Sequence, residues 1–109
     1  VEVSANNLSP KDTVDRCRDA LSIAFGDLAE DLKIDLGPGV KKYIERNKAK
    51  DPKRDGQDLI SKNADIVRLL HSRCKPNESH KHSTRPIDEE DANLALNCLW
   101  FVLTELDAR

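Results

Sequence analysis

Residues 85–106 read RPIDEEDANLALNCLWFVLTEL, and the fold class follows from this stretch. Asp88 is the expected N-cap of a helix, with Asp91 as the acid three residues on. Glu89 and Glu90 favour the positive end of the helix dipole. Ala92, Ala95, Leu96, Leu99, Val102, Leu103 and Leu106 recur at steps of three and four and define one apolar stripe. Leu94, Cys98 and Phe101 define a second, with Trp100 beside it. A helix apolar around most of its girth is either central in a bundle or half in a subunit interface. Leu94, Cys98, Trp100 and Phe101 are therefore the dimer-interface candidates.

The pattern repeats N-terminally. Ser9, Pro10 and Asp12 form a helix start, and Val14, Cys17, Leu21, Ala24, Phe25, Leu28 and Leu32 line one face. This spacing predicts a first helix over about 10–33, with Gly26 a weak point inside it. Gly37 and Gly39 flank Pro38 in a turn over 34–40. A short second helix is expected at about 39–48, with Val40, Tyr43 and Ile44 inward. A charged loop covers 50–56. A third helix is expected over 56–74, with Leu59, Ile60, Ile66, Val67 and Leu70 inward, and Pro76 cannot continue it. Residues 1–8 carry no periodicity and read as a tail or linker. The prediction is an all-α, four-helix bundle occupying residues 9–109.

Composition agrees. The 109 residues suit one domain with one modest core. With four glycines, few aromatics and no alternating β-branched runs, an all-β fold is disfavoured. A net charge of −2 excludes a uniformly basic nucleic-acid coat but leaves room for a local basic patch. Three widely spaced cysteines make no disulfide framework and fit a reduced, cytoplasmic setting. No run is long and apolar enough for a membrane span, and no signal peptide is visible. The chain contains no methionine, as expected of a domain cut from a longer protein. No Gly-rich phosphate loop, convincing carboxylate pair or Ser–His–Asp set is visible.

Between the last two helices lies HSRCKPNESHKHSTRP, residues 71–86, with all three histidines of the chain. Three readings apply. It is a solvated polar connection, although helix connections in bundles are usually shorter. It is a zinc site built from His71, Cys74, His80 and His82, whose imidazoles and thiolate are suitable ligands at a spacing that matches no strong signature. Or it is a phosphoryl-transfer site that needs neither metal nor cofactor. In that reading Arg73 holds a phosphate with its permanently charged fork. His80 supplies a base titrating near neutrality. Asn77 and Ser79 add hydrogen bonds to ribose or phosphate, His82 is the reserve base, and Arg85 adds charge. Arg73, Lys75, Lys81 and Arg85 against Glu78 give this stretch a formal +3.

RCKPNESH, Arg73 to His80, resembles the hallmark of HEPN domains: an arginine, four to six residues, then a histidine, between the last two long helices. DIVRLLHSR (65–73) is similar to the family's penultimate helix. RPIDEEDANLALNCLWFVLTEL resembles its acid-started closing helix, and DRCRDALSIAFGDLAEDLKI (15–34) its opening helix in domains attached to abortive-infection and restriction proteins. The pattern departs at Cys74, where a polar residue is common, at Pro76 inside the motif, and at Ser22, where many relatives carry a glutamate. The resemblance implies a homodimer whose two Arg–His motifs share a cleft. It implies metal-independent RNA cleavage in a defence or toxin–antitoxin setting, beside an effector domain or antitoxin partner. For members that have lost activity it implies a dimerisation or ligand-binding module.

Overall fold

The computed structural model describes residues 9–74 and 86–107. These residues form four helices, α1 (Pro10–Leu28), α2 (Leu36–Lys50), α3 (Leu59–Ser72) and α4 (Glu89–Asp107), with no strand among them. The expected all-α, four-helix architecture is what the chain adopts. α1 and α3 touch each other, and each packs against both α2 and α4. The core lies where these faces meet. Val14, Cys17, Leu21 and Phe25 come from α1, and Leu36, Val40 and Tyr43 from α2. Ile60, Ala64, Val67 and Leu70 come from α3, and Ala95, Cys98 and Val102 from α4. Burying such side chains removes apolar surface from water at about 25 cal/mol per Å².

The caps read from sequence are formed. Ser9 Oγ accepts from the Asp12 N–H at 3.1 Å. Asp88 and Asp91 exchange reciprocal bonds: the Asp91 N–H donates to Asp88 Oδ1 at 3.0 Å and the Asp88 N–H to Asp91 Oδ2 at 3.1 Å. A second reciprocal box opens α3. There the Ser61 N–H donates to Asp58 Oδ1 and the Asp58 N–H to Ser61 Oγ, both at 2.9 Å.

α2 ends at Lys50 and α3 at Ser72, each two residues from expectation; three boundaries differ by three residues or more, each for a local reason. α1 stops at Leu28, not near 33. Glu30 turns left-handed at φ 58°, and the Asp31 N–H reaches back to the Gly26 carbonyl at 2.8 Å, with Glu30 N–H to Asp27 at 3.2 Å. This pair of bonds closes a helix C-terminus and satisfies the Gly26 and Asp27 carbonyls. A Cβ on Gly26 would lie 2.8 Å from the Asp31 carbonyl oxygen, so glycine makes the closure fit. Leu32 falls beyond the helix and is 72% exposed. α2 begins at Leu36 and is 15 residues long, so Gly37, Pro38 and Gly39 lie in its first turn. Proline is tolerated there because the first N–H groups have no helical partner. Gly39 lies against the Phe25 Cβ. α3 starts at Leu59, not 56, because the box at Asp58 fixes its first turn. The α3 core face is Ile60, Ala64, Val67 and Leu70; Leu59, at 67% exposure, and Ile66, at 37%, flank it outside.

Candidate functional site at one end of the bundle

The N-termini of α1 and α4 and the C-terminus of α3 meet at one end. Arg73 is the C-cap of α3, with φ −74° and ψ −11°. Its N–H is shared between the carbonyls of Leu69 (3.3 Å) and Leu70 (3.1 Å), and the Cys74 N–H follows to His71 at 3.0 Å. The backbone that carries the guanidinium is thus tied to the last helical turn, and Arg73 itself is partly buried.

Around Arg73, His71 sits on the side of α3 that meets α1. Its Nε2 lies 2.9 Å from Asp15 Oδ1, with the His71 side chain 22% exposed and Asp15 56%. This contact joins residues 56 positions apart. Cys74 packs against the core, and its Sγ donates to the Leu70 carbonyl at 3.6 Å. Burial pushes its thiol up from the ordinary range; Lys11 opposes this, Asp15 adds to it, Arg73 opposes and Asp91 adds. A thiol held protonated is a poor metal ligand, because the thiolate is the binding form.

His80, Asn77, Ser79, His82 and Arg85 lie outside the described residues, as do residues 1–8. The proposed Arg73–His80 pair is therefore described at Arg73 alone, and the zinc alternative at His71 and Cys74 alone. Among the described residues no three His, Cys, Asp or Glu side chains group so as to hold a metal ion. No described helix is long and apolar enough to cross a membrane.

The interface candidates divide. Cys98 is buried in the core of the chain itself, and Phe101 packs partly against it. Leu94 (43%) and Trp100 (74%) are exposed, and Leu103 (39%) joins them. From Ala92 to Thr104 there is no charged residue in a chain that is 35% charged. α4 therefore shows solvent an uncharged outer face of Asn93, Leu94, Asn97, Trp100, Leu103 and Thr104.

Two features escaped the sequence reading. Tyr43 donates to Asp58 Oδ2 at 2.6 Å, and Asn47 Nδ2 donates to the Gly56 carbonyl at 3.1 Å. These bonds lock α2 to the entry of α3; only their residue types, not their pairing, are visible in the sequence. The other feature is the Asp15–His71 contact. Comparison with family models, curated proteins and solved structures finds no match.

Proposed function

We propose that this chain is an RNA-binding helical domain of the HEPN-like kind that cleaves RNA without metal, using Arg73 and His80 in a cytoplasmic defence or stress setting. The observation that carries the reading is the position of Arg73: a permanent cation at a capped helix end, on backbone tied to a packed helix. Rigid placement of a charge-stabilising group is what phosphoryl transfer demands of a protein. The chain runs directly from Arg73 into a stretch with Lys75, Lys81 and Arg85 against Glu78.

In this reaction the His80 imidazole takes the 2′-hydroxyl proton. The freed oxygen bonds to the adjacent phosphorus, and the P–O5′ bond breaks. The departing 5′-oxygen leaves as a hydroxyl after gaining a proton from the imidazolium or water. Arg73 holds the non-bridging oxygens as charge gathers on them. The products are a 2′,3′-cyclic phosphate and a 5′-hydroxyl.

The test is incubation with a panel of structured and single-stranded RNAs in EDTA, beside an Arg73→Ala, His80→Ala variant. Cleavage that persists in EDTA, gives cyclic-phosphate ends and falls at least ~100-fold in the variant is the expected result. Absent cleavage, or cleavage unchanged in the variant, overturns the assignment. A second reading, a non-catalytic homodimerising module beside an effector domain or antitoxin, is favoured by the uncharged outer face of α4.

A further inference from the structure

The basic charge of this chain is concentrated on α2 and the loop after it. Residues 41–54 read KKYIERNKAKDPKR, seven cations against Glu45 and Asp51. That is a net +5 in 14 residues of a chain whose total is −2, so the other 95 residues carry −7. All seven cations are exposed. Arg54 is paired with Asp51 at 3.5 Å; among the described residues none of Lys41, Lys42, Arg46, Lys48, Lys50 and Lys53 has an acid within the 4.0 Å of an ion pair.

Helical geometry sorts these cations. Val40, Tyr43 and the half-buried Ile44 and Asn47 face the bundle. Lys42, Arg46 and Lys50, at i, i+4 and i+8, form one row along the outer edge, spaced about 6 Å apart at 1.5 Å of rise per residue. That spacing is of the order of one nucleotide step along a single strand. No acid interrupts this row. Lys41 and Lys48 lie on the other edge, facing a groove that Arg68 lines together with Glu45, Asp55 and Asp65, so charge there is mixed. Beside the clean row, Lys42 and Arg46 rim a small recess walled by Phe25, Leu28 and Tyr43, an apolar niche next to a cationic track.

We infer that the Lys42–Arg46–Lys50 edge of α2 is a track for the phosphate backbone of single-stranded RNA, separate from the Arg73 end of the bundle. The inference rests on the RNA-binding reading above for the class of polymer and adds the surface that holds it. The face itself argues for phosphates over a protein partner. Protein interfaces centre on apolar and aromatic anchors and exclude lysine, and none of the exposed large hydrophobic side chains lies between residues 36 and 54. A regular, single-signed row without anchors recognises a polyanion by charge, with little sequence preference.

The experiment measures binding of a fluorescein-labelled 2′-O-methyl oligouridine, which lacks the 2′-hydroxyl that the cleavage reaction needs, across 50–200 mM salt. It uses the whole chain, a Lys42→Gln, Arg46→Gln, Lys50→Gln variant, and the Arg73→Ala, His80→Ala variant. Glutamine keeps helix propensity, and circular dichroism checks the fold. Each lost phosphate contact flattens the slope of log K against log salt by about 0.7, so the triple variant is expected to lose about 2 from the slope and about tenfold or more in affinity. The Arg73, His80 variant is expected to lose only about 0.7 from the slope, for the one phosphate contact at Arg73, and Glu45→Gln to bind more tightly. Undiminished binding with an unchanged slope in the triple variant overturns the α2 track while leaving RNA binding standing. Binding lost only in the Arg73, His80 variant does the same. No binding by any form overturns both. Tighter binding to polyglutamate or to phosphatidylserine vesicles than to RNA overturns the polymer assignment.

Discussion

Gly56 shows how much one residue can carry. Its φ is +83°, a conformation that side chains other than glycine's rarely adopt. A Cβ there would lie 2.2 Å from the Ile44 carbonyl oxygen, and both atoms are backbone-anchored. Its own carbonyl accepts from Asn47 at 3.1 Å, so the residue also closes α2 against the approach to α3. Gly56→Ala adds a strained backbone and a clash with α2, each costing about 1–3 kcal/mol. The expected loss is about 2–4 kcal/mol, read from the urea midpoint at constant m-value; a loss under about 0.5 kcal/mol contradicts this account. The sequence marks residues 50–56 only as a charged loop. Whether its glycine is a spacer or a fixed contact depends on Ile44, a pairing no local pattern encodes.

At the scale of elements, the contact between α1 and α4 has a chemical signature. Cys17 and Cys98 are buried within the shared core. Burial first, and the neighbouring Cys98 second, push the Cys17 thiol up from 9.0 to about 11. Burial raises Cys98 as well. A raised thiol means that the folded state keeps a proton the unfolded chain releases. The contribution to stability is full below pH 9 and is lost as pH climbs toward about 11. Urea unfolding across pH 8–11 is expected to show a decline on the order of 2 kcal/mol above pH 9, with Cys17→Ala flattening it. An unchanged decline in that variant would assign the effect elsewhere. The elements differ in how far they can be read in advance. The caps at Ser9 and Asp88 are legible because donor and acceptor lie three residues apart. The end of α1 is not, because its closure puts Glu30, not a glycine, in the left-handed turn. The start of α2 misleads because Gly37-Pro38-Gly39 has the composition of a turn, while a helix's first turn accepts the proline and Gly39 admits Phe25. The faces of α3 were mixed because Leu59 and Ile66 fit helical spacing yet flank the face that α1 and α4 cover.

For the whole molecule, function depends on which surfaces remain after the core is made. The end position of Arg73 was legible, since a helix running into Pro76 must stop near it. The Asp15–His71 contact was not, because tertiary packing alone joins positions 56 apart. The basic edge of α2 became visible only once residues 36–50 were one exposed helix. The remaining surface is the outer face of α4, uncharged from Ala92 to Thr104 and holding Trp100, Leu94 and Leu103 in solvent. Exposed tryptophan amid leucines, with no charge over three turns, is the composition of an interface core, not of a solvated helix. A second copy matches it well: a two-fold pairing sets like against like, and an uncharged face incurs no repulsion in doing so. A homodimer through this face is then expected at tens of micromolar, with light scattering giving twice the 12.3 kDa chain mass. Trp100 is the sole tryptophan, so its emission reports this face directly and should shift to the blue as concentration rises. Trp100→Glu buries a charge at the centre of such a contact and should return the mass to one chain without loss of helicity. A single-chain mass at every concentration, with solvent-like tryptophan emission throughout, excludes the α4 interface and with it a cleft shared between two Arg73 ends through this face.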